Sequence, residues 1–381
     1  MKLSLCMIVK NEQDNLRRCL SSVVSHVDEL IVVDTGSTDD TVAIAQEFGA
    51  KVSYFEWCDD FAAARNASIE RATGDWILSL DADEVLVVEN PQFRQILAET
   101  LNVADPAPLV LAFYIKRQEV SVSGENTPLY TLRLFRNLPE IRFTEKFHER
   151  LLYQSNEFSD GQLAYLDCVR LDHHGYTDEL VMVKNLQRNI PILEGLRQRG
   201  EISLMLLACL AGFYQSTGAS EQAMECLAEA YNRLLPHLLS HVPPDDFRMI
   251  PLLMYTIGSE ALEQEDYDTV SLLCQRGLEW CPNFPPLNYL TGDLMRKLGF
   301  LQGAIAYYEY CLQMGQEGTY YLEDSFDASY MKTFPAYTMG CVYQDLGTLE
   351  KARSAFELAL SYDPDFELAQ AAIAALDPKQ N

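Results

Sequence analysis

Basic residues are scarce in this chain: 29 lysines and arginines stand against 56 acids, a formal net charge of −27 over 381 residues. The deficit is general, with 20 bases to 31 acids in residues 1–199 and 9 to 25 in residues 200–381. Neither half offers the broad basic surface that nucleic acid or anionic lipid requires. Long apolar runs are missing too, and nothing approaches the ~20 residues that span a bilayer. The opening apolar stretch stops at Lys10-Asn11-Glu12 without a small-residue cleavage site, so it reads as a first strand and not as a signal peptide. The ten cysteines lie scattered with no Cys-x-x-Cys, so neither a zinc site nor a disulfide framework is indicated, which favours a reducing, cytoplasmic setting. There is no Gly-Lys-Ser/Thr phosphate loop, and no glycine-rich turn follows the first strand, which counts against a dinucleotide fingerprint. An anionic substrate would need a local device, either a metal or a few placed arginines.

What is present is organised around residues 76–84, an apolar run that closes on Asp81-Ala82-Asp83-Glu84. Framed by Gly74 and by acids, it reads as a buried strand whose carboxyl end opens into a cleft. In an extended chain Asp81 and Asp83 point to the same side, and two such charges ~6 Å apart repel by roughly 3 kcal/mol at an effective dielectric of ~20. A divalent cation suits them; the plainer alternative is a solvated acidic turn that caps the next helix.

The preceding residues alternate strand and helix. Residues 3–9 form a strand; Asn11 caps a helix through Leu16, Cys19, Leu20, Val23 and Val24. Residues 30–33 are the next strand, then Thr38 caps a helix through Val42, Ala45 and Phe48 that stops at Gly49. Residues 52–55 and a helix over 60–72 follow. This order predicts a parallel sheet covered by helices on both faces. Ligands then bind beyond the carboxyl ends of the strands, which is where Lys10-Asn11-Glu12, Asp34-Thr35-Gly36-Ser37, residues 56–60 and residues 81–84 fall. Residues 109–117 and 129–136 alternate like strands of a more open sheet and lead into His148-Glu149 and Asp172-His173-His174. His148 and His174 are as readily structural as functional; His173 closes a strand-like segment just before the architecture changes and is the functional candidate.

From about residue 200 the pattern is helical and repeats. Ala211, Gly258, Gly292 and Gly340 align; seven residues on stand Gly218, Glu265, Gly299 and Gly347, and sixteen on stand Leu227, Cys274, Tyr308 and Phe356. The middle pair is 34 residues apart, and the wider spacings place inserts near residues 236–247 and 315–333. The period, with small residues where helices cross and aromatics where they pack, resembles tetratricopeptide repeats.

The Ser4-to-Glu12 opening, Val33-Asp34-Thr35-Gly36-Ser37-Thr38-Asp39, Ala64-Arg65-Asn66 and Asp81-Ala82-Asp83-Glu84 resemble family-two glycosyltransferases in order and spacing. Leu134-Phe135-Arg136, His148-Glu149 and His173-x-Gly175-Tyr176 look like the bacterial branch that carries tetratricopeptide repeats behind the transferase. The resemblance implies an α/β GT-A (nucleotide-diphospho-sugar transferase-like) domain over 1–180, a helical linker over 181–199 and an all-α solenoid of about four repeats over 200–381. It also implies a nucleoside diphosphate sugar donor and a divalent cation, Mn2+ or Mg2+. On that reading Val9, Asn11, Glu12, Asp34, Arg65 and Asp81 contact the donor, Asp34 alternatively holding the Ser37–Thr38 turn. Asp83 is the direct metal ligand and Asp81 the partner of ribose or of a metal-bound water. His173 completes the metal shell or bonds the diphosphate, and Arg65 neutralises the diphosphate or the acids. Glu149 is the base, with Glu84 and Asp172 as rivals and His148 unassigned. Single displacement with inversion is the simplest mechanism, since no residue looks like an activated covalent nucleophile. The acceptor is a glycan, lipid-linked or peptide nucleophile, and the repeats bind it, a protein partner or a second copy. Two other classes compete: a nucleotidyltransferase, and a catalytically silent sugar-nucleotide-binding scaffold.

Overall fold

The structure, a computed structural model, describes residues 1–101, 109–120, 126–175, 178–245 and 247–376; Tyr176 of the motif above lies outside them. The chain divides into two compact units, Met1–Val122 with Pro128–Glu201, and Ser123–Thr127 with Ile202–Asn381.

The first unit runs β1 (Leu3–Val9), α1 (Gln13–Val23), β2 (Glu29–Asp34), α2 (Thr41–Glu47), β3 (Lys51–Tyr54), α3 (Phe61–Ile69), β4 (Trp76–Ser79), β5 (Glu84–Val88) and α4 (Phe93–Leu101). It continues with β6 (Ala112–Glu119), β7 (Leu129–Arg136), β8 (Ile141–Thr144), β9 (Arg150–Tyr153), β10 (Leu163–His173), α5 (Asp178–Lys184) and α6 (Ile190–Gln198), the last two joined by a π-helical turn over Asn185–Asn189. Residues 181–199, expected as a helical linker, are helical through Gln198 and group with this unit.

Strand alternation builds the core on two sides of one sheet. Leu3, Leu5, Met7 and Val9 of β1 face Leu16, Leu20 and Val23 of α1 together with Trp76 and Leu78. Cys6, Ile31 and Ile77 face the other way, toward Ala62 and Ile69 of α3 and Phe143 and Leu151 of the β8–β9 hairpin. Among the described residues eight strands form that sheet in the order β3-β2-β1-β4-β7-β6-β10-β5. The parallel sheet expected of the first four strands is found, β3, β2, β1 and β4 pairing in parallel; β7 then enters antiparallel beside β4 and β6, β6 pairs in parallel with β10, and β5 closes the sheet antiparallel to β10. The strands expected in a separate, more open sheet therefore belong to this one.

The sheet also curls. β4 and β5 hold the fourth and eighth places, ~19 Å apart in a flat sheet at ~4.8 Å per strand, yet only residues 80–83 join them. Those residues turn tightly, with the Glu84 amide donating to the Asp81 carbonyl at 3.1 Å, so the sheet bends back to bring β5 near the end of β4. The acids sit in that bend.

Two caps differ from expectation. Asn11 has φ 55° and does not cap α1; its side-chain oxygen accepts from the Thr38 amide at 2.8 Å, tying the loop after β1 to the loop after β2. Thr38 consequently does not start α2, which begins at Thr41 behind Asp39 and Asp40.

The second unit is a run of helices: α7 (Leu204–Ser216), α8 (Ser220–Ser240), α9 (Ile250–Glu263), α10 (Tyr267–Trp280), α11 (Pro285–Lys297), α12 (Leu301–Glu317), α13 (Thr333–Asp345), α14 (Leu349–Tyr362) and α15 (Glu367–Leu376). The aligned small residues lie where paired helices cross. A Cβ on Gly292 would stand 2.5 Å from the Tyr308 ring, and one on Gly340 2.5 Å from Phe356. The residues seven further on all turn left-handed, at φ 78°, 60°, 83° and 70° for Gly218, Glu265, Gly299 and Gly347. The first insert is a lengthened α8 that continues through Pro236, and the second contains a 3-10 turn over Ala328–Met331. No helix among the described residues is long and apolar enough to cross a membrane.

Candidate active site

The polar ends of β1, β2 and β4 converge with residues from β7, β6 and β10. Asp34 closes β2 almost fully buried, and its two carboxylate oxygens accept from the amides of Gly36 and Ser37 at 2.8–3.1 Å. The Val9 carbonyl accepts from Thr35, and the Asn11 amide donates to the Ser37 hydroxyl at 2.9 Å. Glu12 is buried; its amide donates to the Thr41 hydroxyl and its carboxylate accepts from Lys184 of α5 at 3.0 Å. Burial lowers the Lys184 pKa, against the pull of Glu12.

Asp81 and Asp83, two residues apart, have separate partners. Each oxygen of Asp81 carries a guanidinium: Arg65 Nη2 at 2.7 Å and Arg133 Nη2 at 2.6 Å. Burial opposes the charge of Asp81, but Arg133 and Arg65 hold its carboxyl well below the usual range. Arg65 also donates from Nε to Glu149 and lies over the Phe143 ring. The candidate base Glu149 and the candidate donor contact Asp81 are therefore bridged by one arginine. Glu84 is wholly buried, accepting from the Asp81 amide at 2.9 Å and from Arg133 Nη2 at 2.9 Å. Burial and the neighbouring Asp81 raise its pKa against the pull of Arg133.

Asp83, also buried, meets His173: Oδ2 lies 3.1 Å from Nε2. The other ring nitrogen, Nδ1, lies 2.6 Å from Glu119 Oε2 and 3.0 Å from Arg117 Nη2. The register explains the cluster, since His173 on β10 stands opposite Glu119 on β6 and Glu84 on β5. Burial works against a charged imidazole here, yet the bonds to Asp83 and Glu119 outweigh it and push His173 up to about 9.

The remaining candidates lie further out. The amide of His174 donates to the Asp83 carbonyl at 3.0 Å, Asp172 accepts from Arg170 Nε at 2.9 Å, and His148 sits between β8 and β9 at φ 54° against Phe147. Sequence reasoning missed Arg133, Arg117, Glu119 and Lys184. Arg117 and Glu119 occupy one face of β6, and Arg133 interrupts the apolar alternation of β7; charged residues inside strands of a base-poor chain were the available signal.

Among the described residues no three His, Cys, Asp or Glu side chains converge as a metal cage. Asp83 and His173 nevertheless fit a cation shared with phosphate oxygens, since such ions take one or two protein ligands and complete their shell from the substrate. Glu119 on the far ring nitrogen is the outer partner that a ligating histidine ordinarily has.

Residues 4–121 match the family model described as glycosyl transferase family 2. That stretch is similar to the family 2 glycosyl transferases. Residues 336–366 match a tetratricopeptide repeat model, so the expected order of α/β transferase domain and helical repeats is the order found. A TPR repeat-containing protein of Synechococcus elongatus is 44% identical over 180 residues, covering 46% of this chain and 42% of that protein. The SPbeta prophage-derived glycosyltransferase SunS of Bacillus subtilis is 31% identical over 191 residues, 49% of this chain and 43% of that protein. The chain thus spans less than half the length of either relative. Staphylococcus aureus TarS 1–349, solved with UDP, overlaps 64% of this chain and 93% of that chain at 16% identity and a TM-score of 0.35, too slight a likeness to support any inference. The matched stretch ends inside the sheet, before β7 and β10.

Proposed function

We propose that the first unit is a metal-dependent glycosyltransferase that moves a sugar from a nucleoside diphosphate sugar to a nucleophilic acceptor, with inversion by single displacement. One observation carries the reading. A buried acid in the turn between β4 and β5, inside the stretch that matches the family model, faces a histidine on β10 whose second nitrogen meets a carboxylate. Asp83 and His173 would hold the cation, Mn2+ or Mg2+, which when bound offsets the charge developing on the departing diphosphate. Glu119 orients the imidazole. The linked loops after β1 and β2, with Val9, Asn11, Glu12 and Asp34, would receive the nucleoside. Arg65 is engaged by Asp81 and Glu149, which supports its neutralising the acids rather than the diphosphate. Glu149 would take the acceptor proton, Arg65 fixing where its carboxylate points. The repeats would select the acceptor, a glycan, a lipid-linked sugar or a peptide, or bind a protein partner or a second copy. The ten scattered cysteines, all free, support a cytoplasmic site of action.

Asp83→Asn keeps the shape and removes the charge, so turnover of nucleotide sugars in the presence of Mn2+ or Mg2+ should fall at least a hundredfold while the circular dichroism spectrum is retained. Full activity after exhaustive chelation, or unchanged turnover in the variant, would remove the metal from the reading. A protein that binds donor to saturation yet never releases nucleoside diphosphate would be the silent scaffold instead.

A further inference from the structure

The two acids of the Asp81-Ala82-Asp83 turn are treated differently by their surroundings. Asp83 offers its carboxylate to one imidazole. Asp81 has a guanidinium on each oxygen, Arg65 Nη2 on Oδ1 and Arg133 Nη2 on Oδ2. The turn is closed reciprocally, the Asp81 amide donating to Glu84 Oε2 at 2.9 Å and the Glu84 amide to the Asp81 carbonyl at 3.1 Å, so the divergence of the two acids is built into the backbone. Arg133 is itself pinned: its Nη2 serves Asp81 and the wholly buried Glu84 together, at 2.6 and 2.9 Å, while its buried Nε has no hydrogen-bond partner.

We propose that Arg133, with Arg65, withholds Asp81 from the cation, so that the protein without nucleotide presents a divalent cation with one carboxylate, Asp83, and one imidazole, His173. The inference rests on the metal-dependent reading above and adds how that site is regulated. A carboxylate whose two oxygens are held by charge-assisted hydrogen bonds from two guanidinium groups is a poor cation ligand, its charge already compensated and two of its roughly four lone pairs taken, until at least one guanidinium is displaced. Hard cations dehydrate reluctantly, and two protein ligands hold them weakly. The cation then binds well only together with the donor diphosphate, which supplies the missing oxygens. Arg133 is a positioning residue in this scheme: it acts through Asp81.

The test is equilibrium Mn2+ binding to the full chain without nucleotide, read from the loss of the free-ion electron paramagnetic resonance signal. Arg133→Gln releases Asp81 and should tighten Mn2+ about tenfold. Asp81→Asn alone should change it by less than about threefold, since Asp81 is not a ligand to begin with, and in the Arg133→Gln background it should erase the gain. That non-additivity separates a withheld ligand from bulk charge. If Asp81→Asn alone loosens Mn2+ as much as Arg133→Gln tightens it, charge or direct ligation explains the data and the proposal falls. Should Arg133→Gln fail to fold because Glu84 is stranded, the Glu84→Gln/Arg133→Gln pair serves as the background for the same comparison. Asp83→Asn separates the two levels: if it leaves Mn2+ affinity untouched, the metal reading fails and this inference with it. If it abolishes binding while releasing Asp81 gains nothing, only this inference fails.

Discussion

At the scale of single residues, Glu149 is the most exposed of our assignments to refutation, because Arg65 ties it to Asp81. Glu149→Gln removes a proton acceptor and retains a hydrogen-bonding partner for Arg65. Transfer to the acceptor should fall by at least a hundredfold with donor affinity changed only a few-fold, as titration of the donor and single-turnover transfer would show. A collapse of donor affinity would mean that the residue serves the donor through Arg65, leaving Glu84 or Asp172 as the base. Asp324 in the second unit carries a pH prediction. Burial pushes it up to about 6 against the Ser325 amide and Arg248, and its Oδ2 is buried without a hydrogen-bond partner. A folded pKa above the unfolded value of about 4 stabilises fully only below that value, and the benefit disappears as pH rises through 6. Asp324→Asn should therefore match the parent near pH 3 and exceed it near pH 7.5, by up to about 3 kcal/mol; an equal difference at both pH values would contradict it. Residues such as Asp34, Asp81 and Asp83 were legible because strand ends collect polar groups. Their partners were not, since a one-dimensional pattern cannot say that β7 lands beside β4 and brings Arg133 to Asp81.

At the scale of elements, the repeats were legible almost to the residue, because each helix pair is fixed by contacts close in sequence. The aligned glycines meet rings sixteen residues on, at Tyr308 and Phe356. Gly340→Ala should cost at least 2 kcal/mol in chemical unfolding, since its new methyl meets the Phe356 ring. Glu265 holds at φ 60° the left-handed turn that glycine holds in the other three repeats. Glu265→Gly should stabilise by about 1 kcal/mol by removing that strain. Less legible were the starts of α1 and α2, where Asn11 and Thr38 bond to each other's loops instead of capping their own helices; a tertiary contact outcompeted a local one.

At the scale of the whole molecule, the segment that matches the transferase family is not a folding unit. Residues 4–121 lack β7, which pairs with both β4 and β6, and β10, the strand that pairs with β5. A fragment ending at residue 121 should show no cooperative thermal transition, whereas residues 1–201, which retain every strand of the sheet, should show one. The same curled sheet has a further consequence during synthesis. β5 and β10 are neighbours in the finished sheet, yet Val88 and its partner Val169 are 81 positions apart in the chain, which at ~5–20 residues per second leaves about 4–16 s between their emergence from the ribosome. For that interval Val85, Leu86, Val87 and Val88 form an apolar edge awaiting its partner, a ready template for pairing with another nascent chain. Slow codons between those points would lengthen the exposure and lower the yield of soluble protein; the same codons after residue 173 would not.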